Sequence, residues 1–305
     1  MPDLSVNIAG KRLLAPVLPA SGTFEPLKLP FPSSRFKELG ALVNKTITLR
    51  PRPGNPPPRV WETTAGLLNA VGIPSEGVEA FVKEILPQLR EKTDCLIVSI
   101  AAFSLEDFCA LAERIACTGL ADMLELNLSC PNIERHTSWS SDQALLAEVV
   151  RAVKAEIKLP LLVKLSPNVT DLATLAQVAE ESGADGLSLV NTFKGLAIDL
   201  RAKRPALGNI TGGLSGPAIK PLALYAVWEA YKRVRIPIIG MGGICCWQDA
   251  LEFILAGATA VAVGMYNFVD PEIMWKIIAG LKNYLSENKY DAISKLIGLA
   301  HRNLS

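Results

Sequence analysis

The chain has 305 residues, with 31 Lys+Arg against 30 Asp+Glu and a formal net charge of +1, so it lacks the cationic excess of a nucleic-acid stripe or a polybasic membrane surface. Half of it, 50%, is hydrophobic, which is enough for a large buried core and excludes disorder as its main state. Length alone fits two domains, but an α/β barrel fills about 250 residues as one, and a single domain over residues 1–305 is expected.

From the N-terminus, Leu4–Ile8, the turn Ala9-Gly10 and Lys11–Leu14 read as a β-hairpin. Lys11-Arg12 followed by Leu13 to Leu18 imitates a secretion signal, but Pro16 and Pro19 interrupt so short an apolar core. No run approaches the about 18 apolar residues of a membrane span, and a soluble, cytoplasmic protein is expected. Short β-rich runs then recur at Ala15–Pro19, Ala41–Lys45, Cys95–Ile100, Met123–Leu128, Leu161–Leu165, Gly186–Val190, Ile236–Gly240 and Ala260–Gly264. Between them lie helix-period stretches at Leu105–Ala116, Gln143–Ile157, Leu172–Ser182, Leu222–Val234 and Gln248–Ala256. This end-to-end alternation predicts an α/β fold, a single (β/α)8 TIM barrel with an N-terminal β-hairpin. The rival, a doubly wound open sheet, brings a glycine fingerprint after its first strand, whereas here the first run leads into Ser21-Gly22-Thr23. Two connections exceed what a barrel repeat needs: residues 46–94, with the Pro-rich Arg50–Arg59, and residues 191–235, with Thr211–Gly216. Both follow strand ends, so both are expected as long loops walling the C-terminal face, where barrels do their chemistry.

Polar residues gather at these strand ends: Ser21, Lys45, Asn127 with Cys130, Lys164, and Asn191 with Thr192. Lys45 and Lys164 lie in apolar runs, where an unpaired cation costs several kcal/mol. Neither strand contains an acid, so a bound carboxylate, phosphate or reduced ring is the expected partner. Gly240-Met241-Gly242-Gly243 ends the seventh run and Val263-Gly264-Met265 the eighth, the places where bare backbone N–H groups of a barrel cradle phosphate. Cys130, just past a strand end, is a candidate base or nucleophile if its pKa is depressed. Cys95, Cys109 and Cys117 read as small core residues, and Cys245-Cys246 as packing. With no C-x-x-C and only His136 and His301, no metal site and no iron–sulfur cluster are expected on this chain. His136 reads as a solvated loop residue. Trp139 reads as a cover for a substrate and Trp61 as an anchor of the Pro-rich loop, and both serve equally well as packing anchors.

Taken together, Pro19-Ala20-Ser21-Gly22, Lys45-Thr46 with Gly54-Asn55-Pro56, Leu68 to Ile73, Asn127 to Asn132, Val163 to Thr170 and Asn209 to Pro221 resemble the class 1 dihydroorotate dehydrogenases, most closely their NAD-linked branch. The resemblance runs from about Leu13 to Pro271. It implies an oxidoreductase of pyrimidine synthesis that converts (S)-dihydroorotate to orotate with FMN as cofactor. Ser21, Lys45, Thr46, Ser99, Asn127, Lys164, Val190 and Gly216 would line the FMN, with its phosphate at Gly242-Gly243 and Gly264-Met265. Asn69, Ala70, Val71, Gly72, Ile73, Asn127, Asn132, Asn191 and Thr192 would hold the substrate, with Lys45 on its carboxylate. Asparagine amides, each both donor and acceptor, suit a cyclic imide. Lys164 at the flavin pyrimidine edge would favour the negative charge of reduction. Cys130 would take the proton from carbon 5 as hydride leaves carbon 6 for flavin N5.

The resemblance also implies a homodimer and a second subunit, carrying FAD and an iron–sulfur cluster, that passes the electrons to NAD. Four departures stand out. Ile133 to Ser140 lacks the glycines usual in that loop, Ser99 stands where an FMN-contacting Asn is expected, Met265 stands where Thr is usual, and the segment after Gly22 is shortened through Thr23-Phe24-Glu25-Pro26. A flavin ene-reductase or dehydrogenase acting on another pyrimidine or acceptor, and a non-catalytic barrel binding a phosphorylated ligand, stay open as alternatives.

Overall fold

The computed structural model describes residues 2–128 and 139–302. Its framework is one sheet of eight parallel strands: β1 (Val17–Pro19), β2 (Leu42–Val43), β3 (Leu96–Ile100), β4 (Met123–Asn127), β5 (Leu161–Lys164), β6 (Gly186–Leu189), β7 (Ile238–Met241) and β8 (Ala260–Val263). Every residue of β3, β4 and β5 is buried, as expected of parallel strands with the barrel interior on one side and helices on the other. The order along the sheet is β1-β8-β7-β6-β5-β4-β3-β2. Its two ends meet where the Gly40 N–H donates to the Val17 carbonyl at 2.9 Å. A Cβ on Gly40 would stand 2.2 Å from the Ala15 carbonyl oxygen, so only glycine lets the chain pass this seam. The eight strands coincide with the eight runs expected from sequence, and the TIM-barrel architecture is the one found.

Helices pack outside: α1 (Leu105–Ala116), α2 (Gln143–Glu156), α3 (Leu172–Glu181), α4 (Lys220–Arg233), α5 (Trp247–Leu255) and α6 (Ile273–Glu287). Their starts follow local chemistry. Ser104 accepts from the Asp107 N–H, Asp142 from Ala144 and Leu145, and Asp171 from Thr174, each satisfying donors the first turn leaves open. On α1 the stripe Phe108, Leu111, Ala112 and Ile115 is buried at helical spacing. Trp139 is buried and meets Phe108 edge-on at 5.9 Å, so it is a packing anchor.

The N-terminal hairpin pairs Val6–Ile8 with Lys11–Leu13. Its turn residues Ala9 and Gly10 both have positive φ, 50° and 83°, the backbone a tight two-residue hairpin requires. Ile8 and Leu13 join the main core, and Lys11 reaches Asp122 at 3.3 Å just before β4, which puts the hairpin at the N-terminal end of the barrel.

The two long connections are not simply loops. Phe193–Leu196, Thr211–Ser215, Gly66–Asn69 and Val60–Thr63 form a four-stranded antiparallel sheet in that order. It closes on a small core of its own, Leu68, Ala70 and Leu207 with Trp61 and Leu214 against them. The first connection also holds the joined helical stretches Val78–Ala80, Phe81–Ile85 and Leu86–Lys92. No helix among the described residues is long and apolar enough to cross a membrane.

Candidate active site

Parallel strands that all end on one face leave their last residues around a common opening. The cavity found there has a volume of ≈ 1380 Å³, including solvent at its mouth. Its rim comes from the barrel and its upper wall from the antiparallel sheet. Of the residues expected to bind a cofactor or substrate, Ser21, Lys45, Thr46, Asn69, Val71, Gly72, Ile73, Asn127, Lys164, Val190, Asn191, Thr192, Gly216, Gly242, Gly243, Gly264 and Met265 all line it. Cys130, Asn132 and His136 lie outside the described residues.

Two expected residues are not at the cavity. Ser99 is wholly buried. Its Oγ donates to Glu125 Oε1 at 3.0 Å and lies 2.9 Å from Thr46 Oγ1, because a short side chain in the middle of β3 reaches only the barrel interior beneath Thr46. Ala70 is also fully buried and turns into the small core with Leu68 and Leu207, while its backbone carbonyl accepts from the Asn55 amide at 3.1 Å.

The two lysines differ from expectation and from each other. Lys45 is exposed, reaching into the open cavity rather than sitting in a core. Lys164 is 4% exposed, and its partner is protein: Glu125 Oε1 stands 3.8 Å from Lys164 Nζ, and Nζ also donates to Ser21 Oγ at 3.1 Å. The acid sits on the neighbouring strand, two residues before Asn127, which itself pairs in register with Lys164. Alternation along β4 turns Glu125 and Asn127 to the same side. No acid stands within the strands that bear the lysines themselves. The missed signal was a carboxylate inside the apolar run Met123–Asn127.

At the other end of the cavity, Gly242 and Gly243 have φ of +131° and +76°. A Cβ on Gly243 would lie 2.8 Å from the Lys220 backbone N, so the turn packs directly on the start of α4. Asp249 braces the loop that follows, accepting from the backbone N–H groups of Cys245 (2.9 Å) and Cys246 (3.2 Å) and pairing with Lys220 Nζ at 2.7 Å. Burial alone would raise the Asp249 pKa, but the Lys220 ammonium and these N–H groups outweigh it and hold it low. The brace is therefore intact at neutral pH and is lost only as pH falls through that depressed value. Across the opening, Gly264 leaves open space where a side chain would begin, the nearest atom being the Ala20 Cβ at 3.9 Å. Asn267, also missed from sequence, ties this end together by donating to the Val263 carbonyl at 2.9 Å and to Thr23 Oγ1 at 3.3 Å.

The thiols sort by environment. Cys117, expected in the core, is exposed at the end of α1, and Cys109 is half-buried. Burial and nearby Asp249 push the Cys245 thiol up to about 12, and burial with Asp122 does the same for Cys95. Because only the thiolate reacts, brief iodoacetamide treatment at pH 7.5 is expected to label Cys117 well before Cys95 or Cys245. Peptide mass mapping reads the order, and prompt labelling of Cys245 would contradict it.

The lining therefore offers two ammonium groups, several amides and hydroxyls, and a glycine turn braced from behind, a donor-rich surface suited to an anionic, acceptor-rich ligand. Among the described residues no cluster of His, Cys, Asp and Glu could hold a metal ion.

Comparison with known proteins gives the same picture. The family profile for dihydroorotate dehydrogenase matches residues 3–285. The chain is 49% identical over 300 residues to the dihydroorotate dehydrogenase B (NAD(+)), catalytic subunit, of Desulforudis audaxviator, covering 98% of this chain and 97% of that one. It is 48% identical over 301 residues to the protein of the same name from Desulforamulus reducens, covering 98% and 99%. Among solved structures, a dihydroorotate dehydrogenase from Eimeria tenella in complex with ferulenol superposes with a TM-score of 0.83 at 27% identity, over 99% of this chain and 89% of that one. The chain belongs to the dihydroorotate dehydrogenase family.

Proposed function

We infer that this chain is the catalytic subunit of an NAD-linked dihydroorotate dehydrogenase, oxidising (S)-dihydroorotate to orotate in de novo pyrimidine synthesis. The observation that carries this reading is near-full-length identity of 44–49% to relatives that are all named as that catalytic subunit. The cavity adds support, because the strand-end residues of the family pattern line one opening. The alternative pyrimidine reductase and the non-catalytic barrel find no support in these comparisons.

FMN fits this lining. The open side of Gly264 and the braced Gly242-Gly243 turn suit its phosphate, and Lys164, Ser21 and Thr46 suit the polar edge of its ring. When bound, FMN supplies the two-electron acceptor for the substrate. The chain's own residues do the rest. Lys45, exposed to the cavity, takes the substrate carboxylate by charge-assisted hydrogen bonding. Asn69, Asn127, Asn191 and Thr192 orient the ring, the upper sheet covers it, and Cys130 takes the proton from carbon 5.

A name specifying a catalytic subunit entails another subunit. We assign to that partner the FAD and iron–sulfur cluster that carry electrons on to NAD. Exposed apolar residues, Leu196 on the edge strand of the upper sheet and Ile198, Leu200 and Ile210 in the connection that follows it, support a homodimer through that face. The acceptor assignment is tested by adding dihydroorotate to the purified FMN-loaded chain with either a redox dye or NAD. Dye reduction alone is expected, and rapid NAD reduction without a second subunit would overturn the assignment.

A further inference from the structure

Glu125 is 3% exposed on the floor beneath the cavity, and the mechanism above leaves it unused. One carboxylate oxygen accepts from Ser99 Oγ at 3.0 Å and the other from Ser188 Oγ at 2.7 Å, with Lys164 Nζ at 3.8 Å. Paired with Lys164, Glu125 is a carboxylate, which accepts hydrogen bonds and never donates.

Proton counting then fixes everything above it. Ser99 has one hydroxyl proton, and Glu125 takes it. The 2.9 Å bond between Ser99 and Thr46 must therefore carry the Thr46 proton. With that proton committed downward, Thr46 Oγ1 can only accept, and it does so from Asn127 Nδ2 at 3.2 Å. Ser21 Oγ, the other acceptor within reach of that proton, lies 3.5 Å from Thr46 Oγ1, against 2.9 Å for Ser99. The Asn127 amide is then oriented with Nδ2 toward Thr46, and its Oδ1 accepts from Asn191 Nδ2 at 3.4 Å. Asn191 Oδ1 in turn accepts from the Thr192 backbone N–H at 2.8 Å. These four bonds from Asn191 to Ser99 all run toward the same buried charge.

We propose that Glu125 is a positioning residue, whose carboxylate sets the one-way direction of the chain Asn191–Asn127–Thr46–Ser99 and so fixes which amide atoms Asn127 and Asn191 turn toward the substrate. This rests on the reading of those two asparagines as substrate-binding residues. A neutral isostere removes the constraint. A Gln amide can donate to Ser99, freeing the Ser99 proton for Thr46 and the Thr46 proton for Asn127, which reverses the amide preferred there. Ser188 provides the control, since it bonds the same carboxylate but lies off the chain that climbs to the cavity.

The test is orotate titration of the FMN-loaded protein, followed by perturbation of the flavin absorbance, with FMN occupancy and thermal midpoint measured on each variant. Glu125→Gln and Ser99→Ala are expected to weaken orotate binding about ten-fold with FMN retained, while Ser188→Ala stays within about two-fold of the parent. Equal losses in Ser99→Ala and Ser188→Ala, or parental orotate affinity in Glu125→Gln, would overturn the proposal. If Glu125→Gln does not fold, the two serine variants decide alone. A parent that binds FMN but no orotate overturns the functional reading itself, and this inference with it, whereas a binding parent with equal serine variants overturns only the inference.

Discussion

A Cys130→Ser variant is expected to lose about 100- to 10,000-fold in turnover near neutral pH, the contribution a positioned general base makes, while keeping its FMN. A thiol ionises several units below a hydroxyl, so serine is almost never in the basic form at pH 7. Cys130 lies outside the described residues, and its assignment comes from sequence, three positions after Asn127, which does line the cavity. Dye-coupled turnover measured between about pH 6 and 10 separates this role from a binding role. Removing a base lowers kcat most at low pH and leaves KM nearly unchanged, whereas unchanged turnover would reject Cys130 as the base.

The second large effect concerns stability. Lys164 and Glu125 are both buried, with side chains 5% and 4% exposed. A buried ion pair is weak evidence for net stabilisation, but removing one partner strands the other charge, which costs about 3–5 kcal/mol. Lys164→Ala is therefore expected to destabilise the chain by about that amount, although Ser99 and Ser188 still solvate the carboxylate. Adding Glu125→Gln to Lys164→Ala is expected to recover part of the loss, because no unpaired charge then remains. Urea unfolding of the two single variants and the double measures the coupling. Losses that simply add would mean the two groups do not act as a pair.

The barrel was legible because its signal is repeated and physical. Runs such as Leu161–Lys164 and Ala260–Val263 are buried at every position, and apolar but for Lys164, since both faces of a parallel strand are covered, and capped helices separate them. The upper sheet was not legible. Gly66–Asn69 and Thr211–Ser215 are short, glycine-containing and only partly buried, so they show neither alternation nor β-branched enrichment. Their pairing depends on contacts across more than 140 residues, such as Leu214 with Leu68. At the site, sequence located the strand-end residues but not what lies beneath them. Ser99 stands at an FMN position of the family pattern where Asn is expected, and the shortness of its side chain leaves it below the cavity, bonded to Glu125. Lys164 was expected to need an anion from a ligand. The anion came from the adjacent strand, a lateral neighbour that depends on register rather than on sequence proximity.

The most direct test of the whole account is an anaerobic visible spectrum of the purified, FMN-loaded chain before and after adding dihydroorotate. Loss of the oxidised flavin band in the visible on mixing, with orotate formed in equal amount, is the predicted result, ~1 mole per mole of flavin for a two-electron cofactor. A yellow protein whose band persists under excess dihydroorotate, or a chain that takes up no FMN, would contradict it.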